Sequence, residues 1–97
     1  MRIALDTNVL AYAEGVGDER RCFMARELIA TLPMEDVVIP VQVLGELHRV
    51  LVGKARQRAM EVKRSVLDWA DAFSVGDSTW LAMAGAFDLA ADHGLQV

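Results

Sequence analysis

Hydrophobic positions alternate along the chain between short continuous runs and longer segments with a helical period. The short runs are rich in β-branched residues and predict strands at residues 2–5, 37–39 and 73–75. The longer segments predict helices at residues 8–13, 19–31, 41–52, 55–72 and 79–93. Strands that alternate with helices indicate an α/β fold, in which a parallel sheet is flanked by helices on both faces.

Several residues mark the ends of these segments. Asp18 is suited to cap the helix that follows it, and Pro33 marks the end of that segment. Pro40 stops the second strand and is suited to start the next helix, whereas Gly94 is suited to end the last one. Residues 95–97 then begin a further strand.

Apolar side chains recur at helical spacing within the longer segments and are predicted to face the core. They are Cys22, Ala25, Leu28, Ile29 and Leu32; Val43, Leu44, Leu47, Val50 and Leu51; Ala59, Val62, Val66, Trp69 and Ala70; and Trp80, Met83, Ala84, Phe87 and Ala91.

The composition narrows the class of protein. Of the 97 residues, 54% are hydrophobic and the mean hydropathy is +0.25, which is rich for a small domain and leads us to expect apolar surface that meets a partner. No apolar run approaches the roughly 20 residues that span a bilayer, so we expect no membrane segment. Cys22 is the only cysteine, which excludes an intrachain disulfide framework and a zinc cluster and favours the cytoplasm.

The charge is acidic overall but locally basic. A net charge of −4 argues against nucleic-acid binding through the overall field. Six cations nevertheless fall in one stretch that contains a single acid, Glu61; they are Arg49, Lys54, Arg56, Arg58, Lys63 and Arg64. This stretch is either a solvated helix face or a rim that contacts phosphates, and the second interpretation requires a groove beside it.

Two carboxylates stand out as candidates for chemistry. Asp6 directly follows the first predicted strand, and Glu46 lies at the border between the apolar and polar faces of the helix after the second. If these strands are neighbours, both carboxylates face one crevice at the carboxyl edge of the sheet. Clustered carboxylates suit Mg²⁺ or Mn²⁺, which stabilise charge and activate water when phosphate is bound.

Simpler roles remain open for the same residues. Asp6 could cap the helix that starts near Asn8, and Glu46 could pair with Arg49 one turn further on. Asn8 could cap or turn the chain rather than orient a ligand.

Other polar residues are weaker candidates. Asp77 follows a predicted strand but is suited to cap the next helix, and Asp92 and His93 lie at a helix end where we expect solvent. His48 lies on the polar side of its predicted helix, where we expect a structural or solvent-facing role. A receiver-type or phosphatase site using Asp6 would need a second aspartate beside it, and the sequence has Thr-Asn there.

Two segments of the sequence resemble the motifs of a known family. Residues 3–10, IALDTNVL, look like the opening of PIN domains, and residues 39–47, IPVQVLGEL, look like the second motif of that family. The resemblance runs over the whole chain and is nearest to bacterial PIN proteins of the PilT N-terminus type, including VapC-like toxins.

The resemblance implies a single PIN-like domain over residues 1–97, with a parallel sheet between helices. It implies a Mg²⁺- or Mn²⁺-dependent endoribonuclease that cleaves single-stranded RNA, with Asp6 and Glu46 as catalytic metal ligands and Asn8 as a small polar position near the metal. The third acid of the family is expected just after the strand that starts at Leu95. We therefore expect an incomplete domain whose activity alone is weak or absent.

The main alternative to a ribonuclease is a non-catalytic interaction module. Such a module would self-associate as a homodimer or bind an antitoxin-like protein through its excess apolar surface.

Overall fold

The structure is a computed structural model that describes residues 2–54 and 56–77, together with the backbone of residues 87 and 88. Its described strands are β1 (Ile3–Ala4), β2 (Val37–Pro40), β3 (Ser74–Gly76) and β4 (Phe87–Asp88). Its described helices are α1 (Thr7–Ala13), α2 (Glu19–Thr31), α3 (Val41–Gly53) and α4 (Ala59–Ala72), with a short 3-10 turn at Met34–Asp36.

The four described strands form one parallel sheet in the order β3-β2-β1-β4. β1 pairs with β2 so that Ile3 lies opposite Val37 and Ala4 opposite Val38. This confirms the predicted α/β class, and it makes the first two strands neighbours. Their carboxyl ends, from which α1 and α3 start, therefore lie at the same edge of the sheet.

The core lies where β1 and β2 meet the inner faces of the helices. Val37, Val38 and Ile39 are all buried, as expected for a strand covered on both faces. The largest fully buried side chains of the described residues are Leu5, Val9, Leu10, Val37, Val38, Ile39, Leu47, Leu51 and Val62. No described helix is both long and apolar enough to cross a membrane.

The helix that follows α1 matches its prediction. α2 spans Glu19–Thr31, and the side chain of Asp18 caps it by accepting a hydrogen bond from the Arg21 amide at 2.9 Å. The preceding turn requires glycine at position 17, where φ is +116° and an added Cβ would lie 2.8 Å from the ring of Tyr12.

The start of α4 departs from the prediction. The helical pattern predicted a start at residue 55, whereas α4 begins at Ala59. Arg56 has a left-handed φ of 51°, and Arg58 has extended backbone at the N-cap. These conformations interrupt the helix between α3 and α4, and they leave Ala59 exposed, although it was predicted to face the core.

The predicted helix over residues 79–93 is wrong at residues 87 and 88, which form β4. The backbone there pairs with the free edge of β1, with Phe87 opposite Ile3. Pairing with a distant strand overrides the helical spacing that assigned Phe87 to a helix core. The rest of that segment, with Trp80, Met83, Ala84, Ala91 and the predictions for Asp92, His93, Gly94 and residues 95–97, lies outside the described residues.

Candidate active site

A cleft opens at the carboxyl edge of β1 and β2, where α1 and α3 begin. Its volume is about 550 Å³. The lining side chains and glycine are Asp6, Thr7, Asn8, Glu46, Arg49, Val50, Gly53 and Lys54. The structure thus brings both predicted carboxylates and Asn8 into one cleft, as neighbouring parallel strands require.

Asp6 is placed by the junction between β1 and α1. It has extended backbone at the N-cap of α1, and its Oδ1 accepts a hydrogen bond of 3.4 Å from the amide of Asn8. The capping role that the sequence left open is therefore present. It does not compete with a role in the cleft, since the half-buried carboxylate lines that cleft as well.

Glu46 is held by a contact between distant parts of the chain. The Thr7 hydroxyl donates a hydrogen bond of 2.7 Å to Glu46 Oε2. Thr7 is buried, with 7% of its surface exposed, whereas Glu46 is exposed. The alternative in which Glu46 pairs with Arg49 is not seen, because no ion pair joins these two described residues.

Thr7 is the residue of this site that the sequence analysis missed. It lies between Asp6 and Asn8 in the sequence and is the first residue of α1. A buried hydroxyl needs a hydrogen-bond partner, and that requirement was the available signal. The partner lies 39 residues away, so local pattern could not identify it.

Two cations line the cleft beside the carboxylates. Arg49 and Lys54 belong to the basic stretch predicted from the sequence, and both are exposed. The remaining cations of that stretch are exposed but do not line this cleft; they are Arg56, Arg58, Lys63 and Arg64. The groove that the phosphate-contacting interpretation required is therefore present beside part of the stretch.

The donor set of the cleft fits a hard divalent cation. Asp6 and Glu46 supply carboxylate oxygens, and Asn8 lines the same space. The described residues contain no group of three or more His, Cys, Asp or Glu that could hold a metal ion. A site with two carboxylates suits Mg²⁺ or Mn²⁺, which keep several waters and take further oxygens from substrate phosphates.

The weaker candidates do not join this site. Asp77 is exposed after β3, and the helix it was predicted to cap lies outside the described residues. His48 is exposed on α3 and does not line the cleft. Cys22 is a buried free thiol. Trp69 is half-buried against the core and donates a hydrogen bond of 2.7 Å to Glu14.

A family model described as PIN domain matches residues 3–97, and both carboxylate motifs fall inside this range. The chain belongs to the PIN-domain family. PIN domains are a family of nucleases that generally bind RNA and depend on divalent metal ions. No curated protein and no solved structure gives a significant match to the chain.

Proposed function

We propose that this PIN domain contributes Asp6 and Glu46 to the metal site of a toxin-like endoribonuclease that cleaves single-stranded RNA. The observation that supports it is the meeting of the two carboxylates in one cleft at the carboxyl edge of β1 and β2. Family membership supports a nuclease.

Asp6 and Glu46 are the residues that would hold Mg²⁺ or Mn²⁺. The bound ion would offset phosphate charge and activate water for in-line attack on phosphorus. Hydrogen bonds within the chain orient the two carboxylates. The Asn8 amide fixes one oxygen of Asp6, and the Thr7 hydroxyl fixes Oε2 of Glu46. Such outer contacts restrict the carboxylates to fewer orientations and so favour ligand binding.

The ligand set also predicts how strongly the metal binds. The two carboxylates that the described residues supply are a sparse set for Mg²⁺, so we expect them to bind the ion weakly. A substrate phosphate beside the cleft would add oxygen ligands and tighten binding. We therefore expect cleavage by this chain alone to be weak or absent.

The proposal is tested by incubating a labelled single-stranded RNA with the chain and Mn²⁺. Slow cleavage that is lost in both Asp6→Asn and Glu46→Gln supports the assignment. Glu61→Gln is the matched control, because Glu61 is an exposed carboxylate on α4 outside the cleft. Robust Mn²⁺-dependent cleavage that persists in Asp6→Asn would contradict the role of Asp6.

Exposed apolar side chains favour a second candidate, a module that self-associates or binds an antitoxin-like protein. The large hydrophobic side chains exposed within the described part include Phe23 at 63%, Met60 at 83% and Leu67 at 52%. Sedimentation analysis tests this candidate. A concentration-dependent dimer that dissociates in Met60→Lys would support self-association, and a compact monomer at all concentrations would count against it.

A further inference from the structure

The cleft contains a second set of charged groups besides its carboxylates. Arg49 and Lys54 line it, and both side chains are exposed. Neither cation forms an ion pair with another described residue. Their charge is therefore available to an anionic ligand that enters the cleft from solvent.

These cations belong to one continuous face of α3. The residues that α3 and its C-cap, Lys54, contribute to the cleft are Glu46, Arg49, Val50, Gly53 and Lys54. Spacings of three, four, seven and eight residues place them on one side of a helix. At 1.5 Å per residue, Glu46 and Lys54 are separated by about 12 Å along the axis. The lining thus extends from the carboxylates towards the end of α3.

Gly53 leaves a gap between side chains on this face of α3. A Cβ built on Gly53 would meet nothing within 4 Å. Among the described residues, no side chain other than those of its chain neighbours approaches this position. The backbone of an extended polymer could therefore approach the helix closely between the carboxylates and Lys54.

The charges of the lining favour a polyanion once a metal is present. Among the described residues, the lining has two carboxylates, Asp6 and Glu46, and two cations, Arg49 and Lys54, so this part of it is formally neutral. A bound divalent cation would make it positive, in a chain whose net charge is −4. An anionic polymer would then be attracted to this region rather than to the protein as a whole.

We propose that Arg49 and Lys54 bind phosphates of single-stranded RNA along this face of α3 and align the strand with the carboxylates. The substrate class rests on the proposed ribonuclease function. The basic stretch then has two parts. Arg49 and Lys54 contact substrate, whereas the cations outside the cleft form a solvated face; these are Arg56, Arg58, Lys63 and Arg64. Phosphate contacts carry no sequence information, so these cations supply affinity and register rather than specificity.

The test measures RNA binding by fluorescence anisotropy in the presence of Mn²⁺, and a gel of the same samples confirms that the RNA stays intact during the measurement. Arg49→Ala/Lys54→Ala is compared with the control Lys63→Ala/Arg64→Ala, which removes the same charge from exposed positions outside the cleft. We expect the first pair to weaken binding at least about tenfold and to reduce the slope of log affinity against log salt by about 1.4. The control pair should change affinity by less than about threefold, as expected for distant surface charges.

Several outcomes would overturn the proposal. Equal losses in the two double variants would show attraction by overall charge only, and unchanged binding in Arg49→Ala/Lys54→Ala would exclude the contact. Binding of polyglutamate in preference to RNA would indicate an acidic polypeptide partner instead. If only the ribonuclease proposal is wrong, the chain will still bind RNA through Arg49 and Lys54 but will never cleave it. Circular dichroism checks that both double variants fold.

Discussion

The hydroxyl of Thr7 donates a hydrogen bond of 2.7 Å to Oε2 of Glu46, joining the start of α1 to the middle of α3. The donor is buried and the acceptor is exposed. Among the described residues, the other oxygen, Oε1, has no hydrogen-bond donor. We infer that Thr7 is a positioning residue, which holds one oxygen of Glu46 and leaves the other for a ligand.

Replacing Thr7 with Val is expected to weaken Mn²⁺ binding about tenfold, since removing the partner of a metal ligand typically costs that much or more. Thr7→Ser keeps the hydroxyl and should restore binding to within about threefold of the unmodified chain. The Mn²⁺ dissociation constant, measured by electron paramagnetic resonance, checks both. Equal losses in Thr7→Val and Thr7→Ser would show that packing matters here and the hydroxyl does not.

Gly45 offers a stabilising substitution close to the site. It lies in the interior of α3, is exposed, and an added Cβ would meet nothing within 4 Å. Gly45→Ala should raise the free energy of unfolding by about 0.5–1 kcal/mol because alanine is the better helix former. Urea denaturation measures this change. RNA binding should be unchanged, since Gly45 does not line the cleft.

Gly17→Ala is the control for Gly45→Ala, because here the added methyl group should destabilise the chain. Gly17 has a φ of +116°, and its added Cβ would lie 2.8 Å from the Tyr12 ring. We expect destabilisation of more than about 1 kcal/mol from backbone strain together with displacement of the ring. A stabilising Gly17→Ala would contradict this account of the turn between α1 and α2.

Leu47 connects the core to the site, because it is fully buried beside Glu46 in the sequence of α3. Leu47→Ala should lower the free energy of unfolding by about 2–5 kcal/mol through lost burial and a cavity. Val52→Ala is the control, since Val52 is 40% exposed on the same helix and should cost well under about 1 kcal/mol. Similar losses in the two variants, measured by denaturant titration, would show that α3 does not pack as described.

The sequence predicts the fold and the placement of the two carboxylates in one cleft because both follow from local patterns. Short apolar runs identify β1 and β2, and amphipathic spacing identifies α2 and α3 within one residue of their observed ends. The order of strand and helix then places Asp6 and Glu46 at one edge of the sheet. That inference needed only that β1 and β2 be neighbours, which they are.

Two of the features that the sequence does not predict depend on contacts between distant residues. The partner of Thr7 is 39 positions away. β4 is assigned by pairing with β1, against a local helical pattern around Phe87, and local propensity does not account for such pairing. The late start of α4 goes with the left-handed backbone at Arg56, an uncommon conformation for a residue that is not glycine, which a helical pattern does not indicate.

We propose that Asp6 and Glu46 bind one divalent cation together. Mn²⁺ binding to the unmodified chain, Asp6→Asn, Glu46→Gln and the double variant tests it most directly, with Glu61→Gln as control. If the two carboxylates share one ion, each single variant should lose nearly as much affinity as the double variant, and the effects should not add. Independent, additive losses, or Mn²⁺ binding that is unchanged in both single variants, would contradict the shared site.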